Sequence, residues 1–193
     1  MARTKEFDPD AALQSALELF WERGYEATSM ADLTGRLGIG RASLYATFGG
    51  KHELFIKALD RYRENTDAKL LAELSQPGAA LPTVRAVVRR FADEAVLESR
   101  HRGCLITNTA TELAARDPDA ARRVRASWDT LETLTAGALA RAQAQGELTP
   151  EKDPRAIARL LLTVMQGMRV IGKAGDDPQR ITDAARLALS LLD

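Results

Sequence analysis

Apolar residues recur along this chain at the three- and four-residue spacing of amphipathic helices, and no stretch reads convincingly as a strand. The dipeptide Asp-Pro punctuates the pattern at Asp8-Pro9, Asp117-Pro118, Asp153-Pro154 and Asp177-Pro178, each time just ahead of an amphipathic run. The aspartate can accept hydrogen bonds from the open amides of a first helical turn, and proline in the next position gives up no helical bond. Four helix starts of one design predict an all-α protein.

The first helix is predicted over about 9–23, with Leu13, Ala16, Leu17 and Phe20 on one face and Gly24 closing it. Ser29 and Asp32 have the spacing of a capping box and open a short helix through Leu37. Gly38-Ile39-Gly40 is a tight break, residues 41–48 form a second short helix, and Gly49-Gly50 stop it. A long helix follows over about 51–74, with Phe55, Ala58, Leu59 and Tyr62 inward. Residues 76–82 (QPGAALP) read as a connection, after which Val84, Val87, Val88, Phe91 and Ala95 mark a helix to about Ser99. His101-Arg102-Gly103 breaks the chain before a helix carrying Cys104, Asn108 and Thr111 on one side. Helices over about 118–145, 154–173 and 178–192 complete a set of nine.

Two short helices joined by a glycine-containing turn, with a helix before them, make a helix-turn-helix, whose second short helix enters the major groove of DNA. Gly38 and Gly40 supply the turn, and Leu44 and Phe48, with Ile39 beside them, supply the inward stripe. The outward face of that helix is polar, with Arg41, Ser43, Tyr45 and Thr47, and Lys51 opens the next helix.

Composition limits the alternatives. The 193 residues are 45% hydrophobic, enough for a substantial core. There is no run of eighteen apolar residues and no signal-like stretch after Met1, so a cytoplasmic protein is expected. The single cysteine, Cys104, allows no internal disulfide, and neither His52 nor His101 has metal-binding partners at sensible spacing, so no metal or cofactor is expected. Without a Ser-His-Asp set, a carboxylate-histidine metal motif or a phosphate loop, the chain does not read as an enzyme. Net charge is zero, so bulk charge makes no case for DNA binding. Its distribution adds a little: residues 33–63 carry six basic side chains against two acidic, although residues 1–60 as a whole hold seven against nine.

Residues 24–55, GYEATSMADLTGRLGIGRASLYATFGGKHELF, resemble the N-terminal signature of the TetR family of transcriptional regulators. The match runs through Gly-aromatic, Thr-Ser, an apolar second helix, Gly-apolar, a small polar residue, Leu-Tyr, an aromatic, Lys and Leu-Phe, in fixed register. RGCLITNTATEL resembles a segment recurring in one branch of that family. The resemblance implies a DNA-binding head over 1–52 and a ligand-binding and dimerisation body over 53–193. Phosphate contacts are implied for Thr28, Tyr45 and Lys51, and base or groove contacts for Arg41, Ser43 and Thr47; Arg41 suits guanine and phosphate alike. The chain departs from the family at Gly40, where a capping serine is common, at Gly49-Gly50, in place of a basic-polar pair, and at Ala46, where a larger side chain is usual.

The resemblance further implies a homodimer whose last two helices pair with their copies about a twofold axis. Leu160, Leu161, Val164, Met168 and Ile171, with Ala184, Leu187 and Leu191, are the candidate interface. The implied role is a repressor on a pseudo-palindromic operator, released by a small molecule held in the body. An activator of the same fold and an interaction protein with a vestigial helix-turn-helix are the alternatives. Phe91, Trp128, Met165 and Met168 are either core or the apolar wall of a ligand cavity. Thr107, Asn108, Thr111 and Gln166 either orient a ligand or bond backbone and water. Cys104, near a helix start, is either a thiol with thiolate character or a small buried side chain. The stripes offer few convergent cations, so the expected effector is hydrophobic or amphipathic rather than a sugar phosphate.

Overall fold

A computed structural model describes residues 7–97, 102–175 and 177–193. Met1 to Glu6, the predicted helix end at Ser99 and His101 lie outside the described residues. Among the described residues there are nine helices and no strand: α1 (Pro9–Arg23), α2 (Met30–Leu37), α3 (Arg41–Phe48), α4 (Lys51–Leu74), α5 (Ala80–Leu97), α6 (Leu105–Glu112), α7 (Pro118–Ala144), α8 (Pro154–Ala174) and α9 (Pro178–Ser190).

All four Asp-Pro pairs work as the chemistry predicts. Asp8, Asp117, Asp153 and Asp177 each accept from amides of the helix they precede, and proline occupies its first turn. Ser29 and Asp32 close a reciprocal capping box: the Asp32 amide donates to Oγ of Ser29, and the Ser29 amide donates to the Asp32 carboxylate at 2.9 Å. Gly38 ends α2 with φ +65°, a left-handed conformation that favours glycine. One boundary differs from expectation. Helix α5 begins at Ala80, inside the predicted connection, because Pro82 falls in the first turn, where no amide is needed.

Two apolar cores meet along α4. One gathers Ala16 and Phe20 of α1, Leu33 of α2, Leu44 and Phe48 of α3, and Leu54, Phe55, Ala58 and Leu59 of α4. It continues into Cys104, Leu105 and Ile106 at the start of α6 and Ala120 and Val124 of α7. The other joins Leu70 and Leu74 of α4 to α5, α7, α8 and α9. Leu161 and Met168, expected at a subunit interface, belong to this second core and are essentially solvent-free, so that assignment is corrected. Helix α8 is apolar on two sides, and these residues are on the inner one. The outer side carries Leu160 and Ile171, 44% and 40% exposed, with Val164 half-buried between them. On α9, Leu187 and Leu191 are 59% and 42% exposed and Ala184 is half-buried. No helix among the described residues is long and apolar enough to cross a membrane.

Candidate nucleic-acid interface and internal cavity

Burial of Leu44 and Phe48 fixes the rotation of α3 and turns Arg41, Ser43 and Tyr45 outward, with Thr47 half-buried. Tyr45 is 46% exposed, and the Arg41 guanidinium lies 5.9 Å from its ring centre. Gly40 and Gly50, which precede α3 and α4, provide no side-chain cap, so the first-turn amides of both helices are left for an outside acceptor such as a phosphate. Lys51 stands at the first position of α4 with its ammonium 4.2 Å over the Tyr25 ring. Arg36, at the end of α2, is 3.7 Å from both Glu18 and Glu22 of α1.

Thr28 is not in this surface. It is fully buried, and its hydroxyl donates to the carbonyl of Gly24 at 2.6 Å. Its expected phosphate contact is therefore corrected to bracing the turn between α1 and α2.

A cavity of about 920 Å³ lies where the two cores meet, bounded by α1, α4, α5, α7, α8 and the start of α6. Phe91, Cys104, Trp128 and Gln166 line it. Met165 and Met168 do not: both are buried behind its wall in the body core. Asn108 and Thr111 are also outside the lining. Asn108 donates to the Arg102 carbonyl at 2.7 Å and accepts from Lys173, while Thr111 donates to the Asn108 carbonyl at 2.9 Å. Thr107 donates to Oε1 of Gln166 at 2.6 Å and orients that side chain.

Sequence reasoning missed Trp21, Tyr62 and Arg169 in the lining, and it underestimated the cations: Lys69, Arg89, Arg90, Arg169 and Lys173 all border the cavity. The available signal for Arg169 was a cation four residues beyond the buried Met165, on a helix face that is otherwise apolar. Tyr62 points its hydroxyl at Sγ of Cys104, 3.5 Å away. Burial pushes the Cys104 thiol pKa up, but the Arg169 guanidinium and the Thr107 amide outweigh it, and the net shift is down.

The cavity wall is tied directly to the head. The Trp21 indole donates to the Gly103 carbonyl at 2.8 Å. Helix α6 has Cys104 and Ile106 on the cavity at one end and Glu112 at the other, where the carboxylate accepts from the amides of Tyr25 at 3.1 Å and Glu26 at 2.8 Å. His52, on the first turn of α4, pairs with Asp117 at 2.8 Å.

Comparison with known proteins agrees with this geometry. Residues 12–58 match the family described as bacterial regulatory proteins, tetR family, and residues 80–188 match the tetracyclin repressor-like C-terminal domain. The chain belongs to the TetR family. A TetR-family relative, the uncharacterized HTH-type transcriptional regulator YezE of Bacillus subtilis (strain 168), is 37% identical over the full length of both chains. The HTH-type transcriptional repressor ComR of Escherichia coli (strain K12) is 34% identical, covering 98% of this chain and 90% of ComR. Among solved structures, a cysteine mutant of the TetR-family regulator CifR, complexed with a 26-base-pair operator duplex, superposes with a TM-score of 0.86 at 29% identity over all of both chains. This TetR-family member is a DNA-binding transcriptional regulator and not an enzyme.

Proposed function

We propose that the protein is a ligand-responsive repressor that binds a pseudo-palindromic operator as a homodimer in the cytoplasm. Residues 1–52 carry DNA recognition and residues 53–193 sense the effector and dimerise. Arg41, Ser43 and Thr47 read the groove, and Tyr45 and Lys51 hold phosphates. Two recognition helices related by a twofold axis require half-sites about one helical turn, ~34 Å, apart or somewhat more. The exposed Leu160, Ile171, Leu187 and Leu191, with half-buried Val164 and Ala184 between them, support pairing of α8 and α9 with their copies.

The observation that carries the ligand response is the run of α6 from the cavity wall to the head. A ligand that fits one placement of α6 better than another shifts the head with it, and only that difference in affinity does work. Release of DNA then follows if the filled cavity disfavours the head spacing that the operator needs.

An anisotropy titration on the promoter region of the protein's own or a neighbouring gene tests the DNA contacts. Tyr45→Ala and Lys51→Ala should each weaken binding on all sequences and leave thermal unfolding unchanged. Lys51→Ala should also lower the slope of log affinity against log salt by about one unit. Wild-type affinity in both variants would remove these two residues from the interface.

The α6 link has its own readout. Glu112→Ala should speed amide hydrogen exchange at Tyr25 and Glu26 by about tenfold or more, and lower the unfolding free energy by ~2 kcal/mol, the scale of lost hydrogen bonds to a charged group. Unchanged exchange at those two amides would show that the head is not held through Glu112.

A further inference from the structure

One part of the cavity gathers cations, and Arg169 among them keeps a donor that no group among the described residues meets. Five cationic side chains line the cavity against three acidic ones, Asp67, Asp93 and Glu94. Arg169 is more enclosed than Arg90 or Lys69, with side chains 15%, 23% and 54% exposed. Its guanidinium rests 4.3 Å over the Phe91 ring, beside Tyr62 and Cys104. Its carboxylate neighbour, Glu94, lies at 3.4 Å and is already held by Arg90 at 2.8 Å and Lys69 at 3.3 Å. Nε of Arg169 is buried with no hydrogen-bond partner among the described residues, and so is the indole Nε1 of Trp128 on another wall. Buried donors are rarely left unmet, and the one that also carries a positive charge, on Arg169, marks a place for an anionic acceptor on a ligand. The walls around them are apolar, with Leu17, Ile106 and Leu131 among the lining residues.

We infer that the cavity takes a small organic monoacid, with its carboxylate on Arg169 and its apolar body against Phe91, Trp128 and Leu131. The inference rests on the cavity being the effector site. A carboxylate matches the planar fork of a guanidinium and engages the unmet Nε once the Arg169 side chain turns towards it. Glu94 would keep Arg90 and Lys69 if Arg169 turned to the ligand, and Arg90 would keep Glu73 as well. A neutral ligand gains no ion pair with Arg169, a cation is repelled by it, and a multiply charged sugar phosphate would strand its polar groups against the apolar walls.

Three probes of equal chain length separate these cases: octanoate, octan-1-ol and octylammonium. Both tryptophans of the chain, Trp21 and Trp128, line the cavity, so intrinsic fluorescence reports occupancy directly and calorimetry gives the affinities. Octanoate should bind about tenfold or more tighter than octan-1-ol, a difference of ~1.4 kcal/mol, with octylammonium weakest. Arg169→Gln should bring octanoate and octan-1-ol to within about twofold of each other, as expected once the charge-assisted bonds are gone. If Arg169→Gln does not fold, Arg169→Lys decides: losing the fork should weaken octanoate several-fold and leave octan-1-ol unchanged. Octan-1-ol or octylammonium binding as tightly as octanoate, a preference that survives Arg169→Gln, or octanoate affinity unchanged in Arg169→Lys would overturn the monoacid while leaving the cavity as a ligand site. If none of the three probes alters fluorescence or gives heat at millimolar concentration, the effector reading of the cavity falls as well.

Discussion

Leu187→Asp should sediment as a folded monomer at micromolar concentration, where the wild-type chain sediments as a dimer. In the single chain this side chain is 59% exposed, so the substitution costs the monomer little. In the proposed dimer it places a carboxylate without a partner in an apolar helix pairing, and the twofold axis places two of them. Burial of an unpaired charged group costs several kcal/mol even after the surroundings relax, so dimerisation should weaken by roughly a hundredfold or more. Operator affinity should fall with it, because each half-site then binds one head alone. Leu160→Asp should behave in the same way. Leu161→Asp should instead destroy the fold, since that residue is in the core of its own chain. A wild-type monomer, or a Leu187→Asp chain that dimerises as tightly as wild type, would move the interface away from α8 and α9 and remove the basis for a twofold operator.

The second large effect concerns the packing of α5 on α8. A Cβ added at Gly172 would stand 2.4 Å from the carbonyl oxygen of Ala95 and 3.0 Å from its carbonyl carbon. Those are backbone atoms, which cannot swing aside, so Gly172→Ala must push the two helices apart. Overpacking of this kind should cost about 3 kcal/mol, and the melting temperature should fall by roughly 6–12 °C for a chain of this length. The cavity should change shape too, because α5 and α8 present Phe91 and Arg169 to it. Gly137→Ala is the matched control: a Cβ there would meet nothing within 4 Å, and replacing a mid-helix glycine at such a place should stabilise by about 0.5–1 kcal/mol. If Gly172→Ala melts within a degree or so of wild type, the close approach is not a constraint.

What could be read from the sequence was what is decided locally. The Asp-Pro caps and the Ser29-Asp32 box depend on a few adjacent residues, and each formed as written. The outward set on α3 followed from Leu44 and Phe48, because one buried stripe fixes the rotation of a short helix. Assignments that depend on which helix packs where fared worse. Periodicity marks Leu160, Leu161, Val164 and Met168 alike as apolar and does not say which of them meet the chain's own core. Thr28 is polar and beside a cap, yet Gly24 turns its hydroxyl inward. Asn108 and Thr111 satisfy the backbone near their own helix, a competition that composition does not reveal. Arg169 needed three-dimensional proximity to Phe91, Tyr62 and Cys104 before its place in the cavity could be seen.

The core beneath the recognition helix has a consequence for anyone building hybrid regulators by exchanging DNA-reading modules. Phe20 is packed edge-on against Phe55 at 5.1 Å, and the same cluster takes in Leu59 and Tyr62 of α4 and Cys104, Leu105 and Ile106 beyond residue 100. A splice placed after residue 52 passes through the middle of that cluster and asks the donor head to fit a foreign set of side chains. Such a hybrid should express poorly even if every base-reading residue is correct. A graft that exchanges the facing residues of α4, α6 and α7 together with the head keeps both halves of the cluster from one parent, and should retain the recipient's melting temperature along with the donor's operator.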